Sequence, residues 1–499
     1  MRKVFIFCFQ KIHVFLTRVF KAMFNGNYNI SAKVANRIFI AILILAAIVY
    51  VDVSFVNHYL FKTYSLDLGA YTKCLYDFMH GVVNDSLVYH KAPINTFASH
   101  FDLYLVLFAP FVYVFGTYTL LVIQIFSVLV GAWGIFKLIG LYTENRIIPL
   151  FAVATFLSFF GVYHAFTFDY HSNVVATMLV PWFFYFFKKQ RYIYSTLFLL
   201  LIIIAKENLS LFMAFVCVGL LWDYRKDKKA IYLLLIYTVF SLFYFFLINS
   251  VVMPSLNRGG QSRGFVRYMQ WGESYSEILL YFITNPTEIF TVLFGHPKKI
   301  EFFTCLFFSG GIALLLKPNY LIMIIPLVAQ KMLSYNSNFW MVYFQYNVEF
   351  TPIVVVAGYI LTSKIKKDKI ANVVAFSLFL MTTATLIYTI DYGQFWHNKQ
   401  RAQIFRVKHY TQKKFDVTVA YSFMEQIPDT ASVCASGIFV PHLCLRKEIY
   451  TFPYKKEFDA EWMLLYEEKR HIDFLLNDYT IVNNKDKLWL LRKNQIKEN

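Results

Sequence analysis

Eleven apolar runs, of about 15 to 23 residues each, decide what this chain can fold into. The first is Ile38 to Val56. The others are 119–141, 147–163, 173–187, 192–205, 207–222, 230–252, 301–317, 319–333, 348–363 and 370–390. A helix needs about 20 apolar residues to cross a bilayer, so several runs are short and their ends are soft. Composition agrees with a polytopic membrane protein. Of 499 residues, 58% are hydrophobic, 20% aromatic and only 16% charged, against about 25% charge in an average soluble domain. No soluble surface hides that much apolar side chain. The net charge of +18 points to topology rather than to nucleic acid, because cytoplasmic loops collect Lys and Arg.

The charge pattern also orients the chain. Residues 1–37 carry seven Lys/Arg and no acid and read as a basic cytoplasmic or interfacial segment. Asp102 to Gly116 is apolar but short, and Pro110 breaks it. If this segment does not span, Lys188 to Arg191, Arg225 to Lys229 and Lys364 to Lys369 all fall inside. If it spans, the first two basic groups flip outside. Residues 102–116 are therefore expected to form a juxtamembrane or re-entrant helix on the outer side. The membrane domain is then 38–391, with outer loops at 57–118 and 253–300. The expected location is the cell (inner) membrane, with the N-terminus cytoplasmic. Of the twelve histidines, only His13 falls on the inner side. Polar chemistry thus gathers at the outer face.

After Asp391 the composition turns polar. Residues 392–499 read as a small extracytoplasmic α/β domain. Strand-like runs lie at Val417 to Ala420, Ser432 to Ala435 and Tyr479 to Asn483; helix-like stretches lie near Phe423 and at Glu461 to Arg470. The six cysteines are scattered, with no CxxC pair to suggest a zinc site. Cys434 and Cys444 are able to bridge if the tail is outside the cell.

Candidate chemistry sits in the outer loops. Asp67 follows the first span in an apolar neighbourhood, where a carboxylate is expensive and can serve as a base. An N-cap reading fits it too. His100 and Asp102 lie two apart and share a face only where the backbone is extended; Asp102 also suits a helix N-cap. Asp169 and His171 repeat the pattern in the next outer loop. These five are able to ligate a divalent metal, though at no recognised metal spacing. Lys206-Glu207 sits in a turn between two apolar runs, either as a self-neutralising pair or with Lys206 meeting an anionic ligand. Arg258, Arg263 and Arg267, interleaved with glycines, suit phosphate or a solvated basic loop. Trp271, Tyr275, Tyr281 and Phe290 continue that loop as an interfacial stretch, with Pro286 and Glu288 set against a full span. In the tail, His442 and Arg446 belong to Pro-His-Leu-x-x-Arg, a loop with a structural default. No nucleophile elbow is present.

Taken in order, these motifs resemble a family of prokaryotic polytopic membrane proteins classed as a domain of unknown function. The residues that carry the likeness are Asp67-Leu68-Gly69, His100-Phe101, the Asp169/His171 loop, Lys206-Glu207, Gln345-Tyr346-Asn347 with Phe350-Thr351-Pro352, and the tail motifs. Where the family has Phe-His-Pro, this chain has Tyr170-His171-Ser172. That family is similar to the C-type glycosyltransferase superfamily. The resemblance implies a GT-C-like membrane domain, Asp67 as catalytic base or metal ligand, residues 102–116 as the juxtamembrane helix, and a polyprenyl-phosphate-linked sugar as donor. It also implies a glycan, lipid or protein acceptor. No cofactor is certain; a divalent metal stays open. The competing class is a non-catalytic lipid-carrier flippase or polysaccharide-assembly protein. Spans that are nearly free of charge favour surface chemistry over passage through the membrane.

Overall fold

A computed structural model describes residues 30–83, 88, 95–257, 265–391, 400–453 and 460–494. Most of the basic segment 1–37, together with Arg258 and Arg263, lies outside the described residues.

The chain is a helical membrane bundle closed at one end by a small sheet. The first helix, Ala32–Tyr59, starts at Ser31, whose hydroxyl accepts from the Val34 N–H, a Ser N-cap. Its side chains Ile44, Leu45 and Ile48 are 56%, 65% and 62% exposed. An apolar face turned outward over several turns has lipid as its natural solvent. Among the described residues, five helices are long and apolar enough to cross a membrane, or seven if two bent pairs each count as one span. The eleven apolar runs are thus not eleven long helices. Several form short helices, such as Val180–Lys188, Tyr192–Ile203 and Phe350–Thr362. Ile147–Leu157 and Phe160–Phe166 meet at 47°.

The 102–116 segment is a series of short turns: Tyr104–Phe108, Ala109–Phe111, Val112–Phe115 and Gly116–Tyr118. They run directly into Thr119–Ile139. The whole stretch, Tyr104–Ile139, has 36 residues. At 1.5 Å per residue it measures about 54 Å, well beyond a ~30 Å hydrocarbon layer. Pro110 and Gly116, the latter at φ +53°, interrupt its hydrogen bonding. Past Arg267, Tyr275–Thr284 and Glu288–Phe294 are bent by 107° at Pro286, so this interfacial stretch makes no straight crossing.

The tail forms a five-stranded sheet of order β2-β1-β3-β5-β4. The strands are β1 Val433–Ser436, β2 Ile449–Phe452, β3 Trp462–Tyr466, β4 Tyr479–Lys485 and β5 Leu488–Lys493. β1 pairs in parallel with β2 and β3, and β5 runs antiparallel to β3 and β4. β1 and β2 are buried throughout, as parallel strands covered on both faces must be. Two readings of the tail are corrected here. Val417 to Ala420 belongs to the helix Val417–Met424, because Asp416 caps it by accepting from the Thr418 N–H. Within Glu461 to Arg470, Trp462–Tyr466 is the strand β3; its apolar run is buried between β1 and β5. No disulfide joins Cys434 and Cys444. They are buried thiols in two different cores, on opposite sides of the sheet.

Helix Glu207–Asp223 packs on Pro318–Met332 through Gly219. A Cβ at Gly219 would press into the Asn319 carbonyl oxygen and the Met323 side chain. At Gly358 the nearest atoms to an added Cβ are 3.6 and 3.8 Å away, an ordinary contact. Gly219→Ala is therefore expected to lose about 1–3 kcal/mol by overpacking, seen as a lower thermal midpoint in detergent. Gly358→Ala should match or exceed the native midpoint, since the helix gains on losing a glycine.

Candidate active site

One cavity of about 520 Å³ opens among the loops at one end of the bundle. It gathers Asp67, His100, Asp102, His171, Lys206, Glu207 and Arg267. They come from five separate turns or helix starts, with His100 and Asp102 sharing one and Lys206 and Glu207 another, so the site is built by tertiary contact.

Asp67 sits in a wide helical turn, Ser65–Gly69, that leads into Ala70–Met79. It caps neither helix; its side chain is 27% exposed, toward the cavity. His171 Nε2 lies 3.6 Å from Asp67 Oδ1 and 3.0 Å from the Gln345 side-chain amide. Burial acts to raise the Asp67 pKa. The His171 ring and the charges of Lys206 and Arg401 outweigh it and hold the carboxyl below its usual range. Asp67 is ionised at neutral pH.

The turn is held by Asp169. Its Oδ2 accepts from the Tyr64 N–H at 3.0 Å and the Leu68 N–H at 3.5 Å, and Arg401 lies 3.5 Å from Oδ1. Asp169 does not line the cavity. It stands behind it, with φ +35°, a region that Asp tolerates better than most residues. Gln124 clamps the same loop. Its amide donates to the Asp169 carbonyl at 3.0 Å and accepts from the His171 N–H at 3.0 Å.

His100 has extended backbone, so both it and Asp102 reach the cavity. Glu207 accepts from His100 Nδ1 at 3.0 Å and from the Phe101 N–H at 3.2 Å. A carboxylate only accepts, so Nδ1 carries the proton and Nε2 is left as an acceptor. Burial and the Lys206 ammonium lower the His100 pKa despite Glu207, so the ring is neutral. Glu207 therefore pairs with His100 rather than with its neighbour Lys206. Among the described residues the Lys206 ammonium makes no hydrogen bond or ion pair, and it lines the cavity.

Asp102 does cap a helix, as Oδ1 accepts from the Tyr104 N–H at 3.0 Å. Oδ2 is buried without a hydrogen-bond partner. Burial pushes this carboxyl up to about 7 against the pull of Ser172 and Lys206. The two aspartates on the cavity thus differ in charge state below neutrality.

Arg267 lines the cavity with its guanidinium 4.6 Å from the Phe339 ring. Lys331 is buried beside Tyr346 and Phe350, and Tyr346 stacks on the same Phe339 ring at 4.2 Å. Glu349 and Asn173, hydrogen-bonded at 3.0 Å, also line the cavity. Lys331 and Glu349 lie in or next to apolar runs. An ionisable group there is a signal of function by its cost alone. Phe212, Phe245, Ile278, Pro326 and Leu327 make an apolar flank.

The tail motif plays another part. His442 stacks on His58 at 4.0 Å and meets Phe61 at 4.4 Å. The Ser65 N–H donates to the Gly437 carbonyl at 2.9 Å, and Gly69 packs under Val440. Burial lowers the His442 pKa to about 3, so this is an uncharged stack. Arg446 grips the carbonyls of Leu443, Pro428 and Ala431 at 2.7, 3.2 and 3.0 Å. Neither residue lines the cavity; both build the surface on which the Asp67 turn rests. Among the described residues, no three of His, Cys, Asp and Glu cluster as candidate metal ligands.

Comparison with known proteins places this fold. The crystal structure of ArnT from Cupriavidus metallidurans, bound to undecaprenyl phosphate, matches with a TM-score of 0.55 and 10% identity, over 94% of this chain and 99% of that one. The crystal structure of the Archaeoglobus fulgidus oligosaccharyltransferase, tethered with an acceptor peptide, matches with a TM-score of 0.38 and 10% identity over 84% of this chain and 64% of that one. At 10% identity the likeness to ArnT is one of fold: a GT-C-like membrane domain with a small strand-containing tail. No curated protein matches the chain in sequence. A family model does, over residues 57–498, and the chain belongs to that family, the DUF2079 predicted membrane proteins.

Proposed function

We propose that this chain is an inverting membrane glycosyltransferase that moves a sugar from a polyprenyl-phosphate donor to an acceptor hydroxyl on the extracytoplasmic side of the cell membrane. The observation that carries the reading is one cavity in which an ionised carboxylate, Asp67, lies with two cations, Lys206 and Arg267, beside an apolar flank. That combination suits a reaction that takes a proton from an alcohol and expels a lipid phosphate. The ArnT structure, similar in fold, is bound to undecaprenyl phosphate, which supports the donor class. The acceptor is a glycan, lipid or protein hydroxyl.

The chemistry follows from the charges. The acceptor oxygen attacks the anomeric carbon from the face opposite the phosphate. The new C–O bond forms as the bond to the phosphate oxygen breaks, and its electron pair leaves with the polyprenyl phosphate. A carboxylate held below its usual pKa is a weak base, so Asp67 takes the proton late, once the attacking oxygen has become acidic. Lys206 and Arg267 stabilise the departing phosphate where charge develops. His100, kept neutral and fixed by Glu207, orients the acceptor through Nε2, and His171 orients Asp67. Asp169, Gln124 and Arg401 are positioning residues.

Wild-type protein should transfer label from a panel of radiolabelled polyprenyl-phosphate sugars, with membrane extract as acceptor. Asp67→Asn should lose at least about a hundredfold in rate with its fold intact. Equal transfer by both proteins would remove Asp67 from the chemistry, and no transfer from any donor would favour a carrier or assembly role. Lys206→Met should cost about 10²–10³ in kcat; an unchanged kcat would detach Lys206 from the leaving group. Asp102 gains its negative charge as pH rises through about 7, close to where the donor phosphate would lie. The donor KM should therefore rise above pH 7 in wild type and stay flat in Asp102→Asn. A rate that instead rises through pH 7, and loses that rise in Asp102→Asn, would move the proton transfer from Asp67 to Asp102.

A further inference from the structure

A second basic site lies at the other end of the same two helices. Glu207–Asp223 runs away from the catalytic cavity for 17 residues, about 25 Å at 1.5 Å per residue. Pro318–Met332 runs back in reverse over 15 residues, about 22 Å, with Lys331 at the cavity end and Lys317 at the far end. There a groove of about 380 Å³ is lined by Arg225, Lys226, Lys317 and Lys364, with Asp223 as its single acid.

Four cations therefore converge where one carboxylate answers them. Lys317 is buried, 3.6 Å from Asp223 and 4.5 Å from the Tyr320 ring centre. The Lys364 ammonium lies near enough to repel it. A buried cation with a loose ion pair and a like-charged neighbour calls for a further anion. The groove's rim is apolar and exposed: Trp222 and Leu316 are 62% and 71% exposed. Arg225 stands 5.4 Å from the Trp222 ring, and Trp is the residue that favours the depth of lipid headgroups. Loops that merely obey the positive-inside pattern carry scattered lysines; here they converge from three separate loops on one concave, lipid-edged surface. A basic pocket between spans is a recurring form of headgroup recognition.

We propose that this groove binds the phosphate of an anionic membrane lipid, one per chain, in the leaflet opposite the catalytic cavity. Lys317 and Lys364 flank the phosphate, Arg225 reaches it from the rim, and the acyl chains run along Trp222 and Leu316.

The test is native mass spectrometry of the purified full chain with phosphatidylglycerol and with phosphatidylcholine. A single tightly held phosphatidylglycerol that phosphatidylcholine does not replace is the expected result. Arg225→Gln with Lys364→Gln, both exposed positions, should weaken its retention about thirtyfold, at ~1 kcal/mol per basic group and 1.4 kcal/mol per tenfold. Lys206→Met, at the other end, should keep it. Wild-type retention in the double variant, or equal binding of the two lipids, would overturn the proposal. So would a thermal shift by inorganic phosphate that needs these residues while no lipid is retained, which would make the site one for the free ion.

Discussion

The fold of the site depends on one buried carboxylate. Asp169 receives the backbone of the Asp67 turn, and Arg401 balances its charge from the segment that enters the tail. Near a bilayer a loop cannot leave its N–H groups to water, because little water is there. Gln124 answers the other side of the same loop. Three parts of the chain, separated by 105 and 232 residues in sequence, meet at this point. Burial opposes ionisation of Asp169, so the network holds only while its partners are in place. Removing one partner of such a set costs more than the set contributes in net stability.

How the sequence discloses the fold follows from what each signal rests on. Apolar runs mark bundle helices because hydropathy needs no partner to be read. They misjudge lengths, since the break between Ile147–Leu157 and Phe160–Phe166 depends on packing. The tail shows the same limit on a small scale. Tyr479 opens a strand as its pattern suggests, yet Trp462–Tyr466 becomes a strand only because β1 and β5 flank it. Val417–Met424 becomes a helix despite its β-branched start because Asp416 caps it and its apolar side covers the sheet.

The site divides along the same line. Asp67, His100 and Lys206 were legible, as polar groups at the mouths of apolar runs have few other reasons to be there. Asp169, His442 and Arg446 share that chemistry but face inward as supports, which is a matter of direction that spacing does not encode. Glu207 beside Lys206 looks like half of an ion pair; only the fold brings His100 across to claim it. Lys331 carries the plainest signal that went unused, a lone cation in a run of Ile, Leu and Val. Gln124 gives no signal at all, since its value is entirely in two hydrogen bonds to a distant loop.

The contact between the tail sheet and the Asp67 turn has a consequence for biosynthesis. A ribosome delivers residue 67 long before Arg401, Gly437 and His442 exist. The membrane helices can insert while the turn still lacks the carbonyl of Gly437, the ring of His442 and the charge of Arg401. The cavity is thus the last part of the molecule to mature, completed when the final hundred residues fold and settle onto the bundle. A nascent chain in the translocon carries its lipid-facing surface before it has a finished cavity.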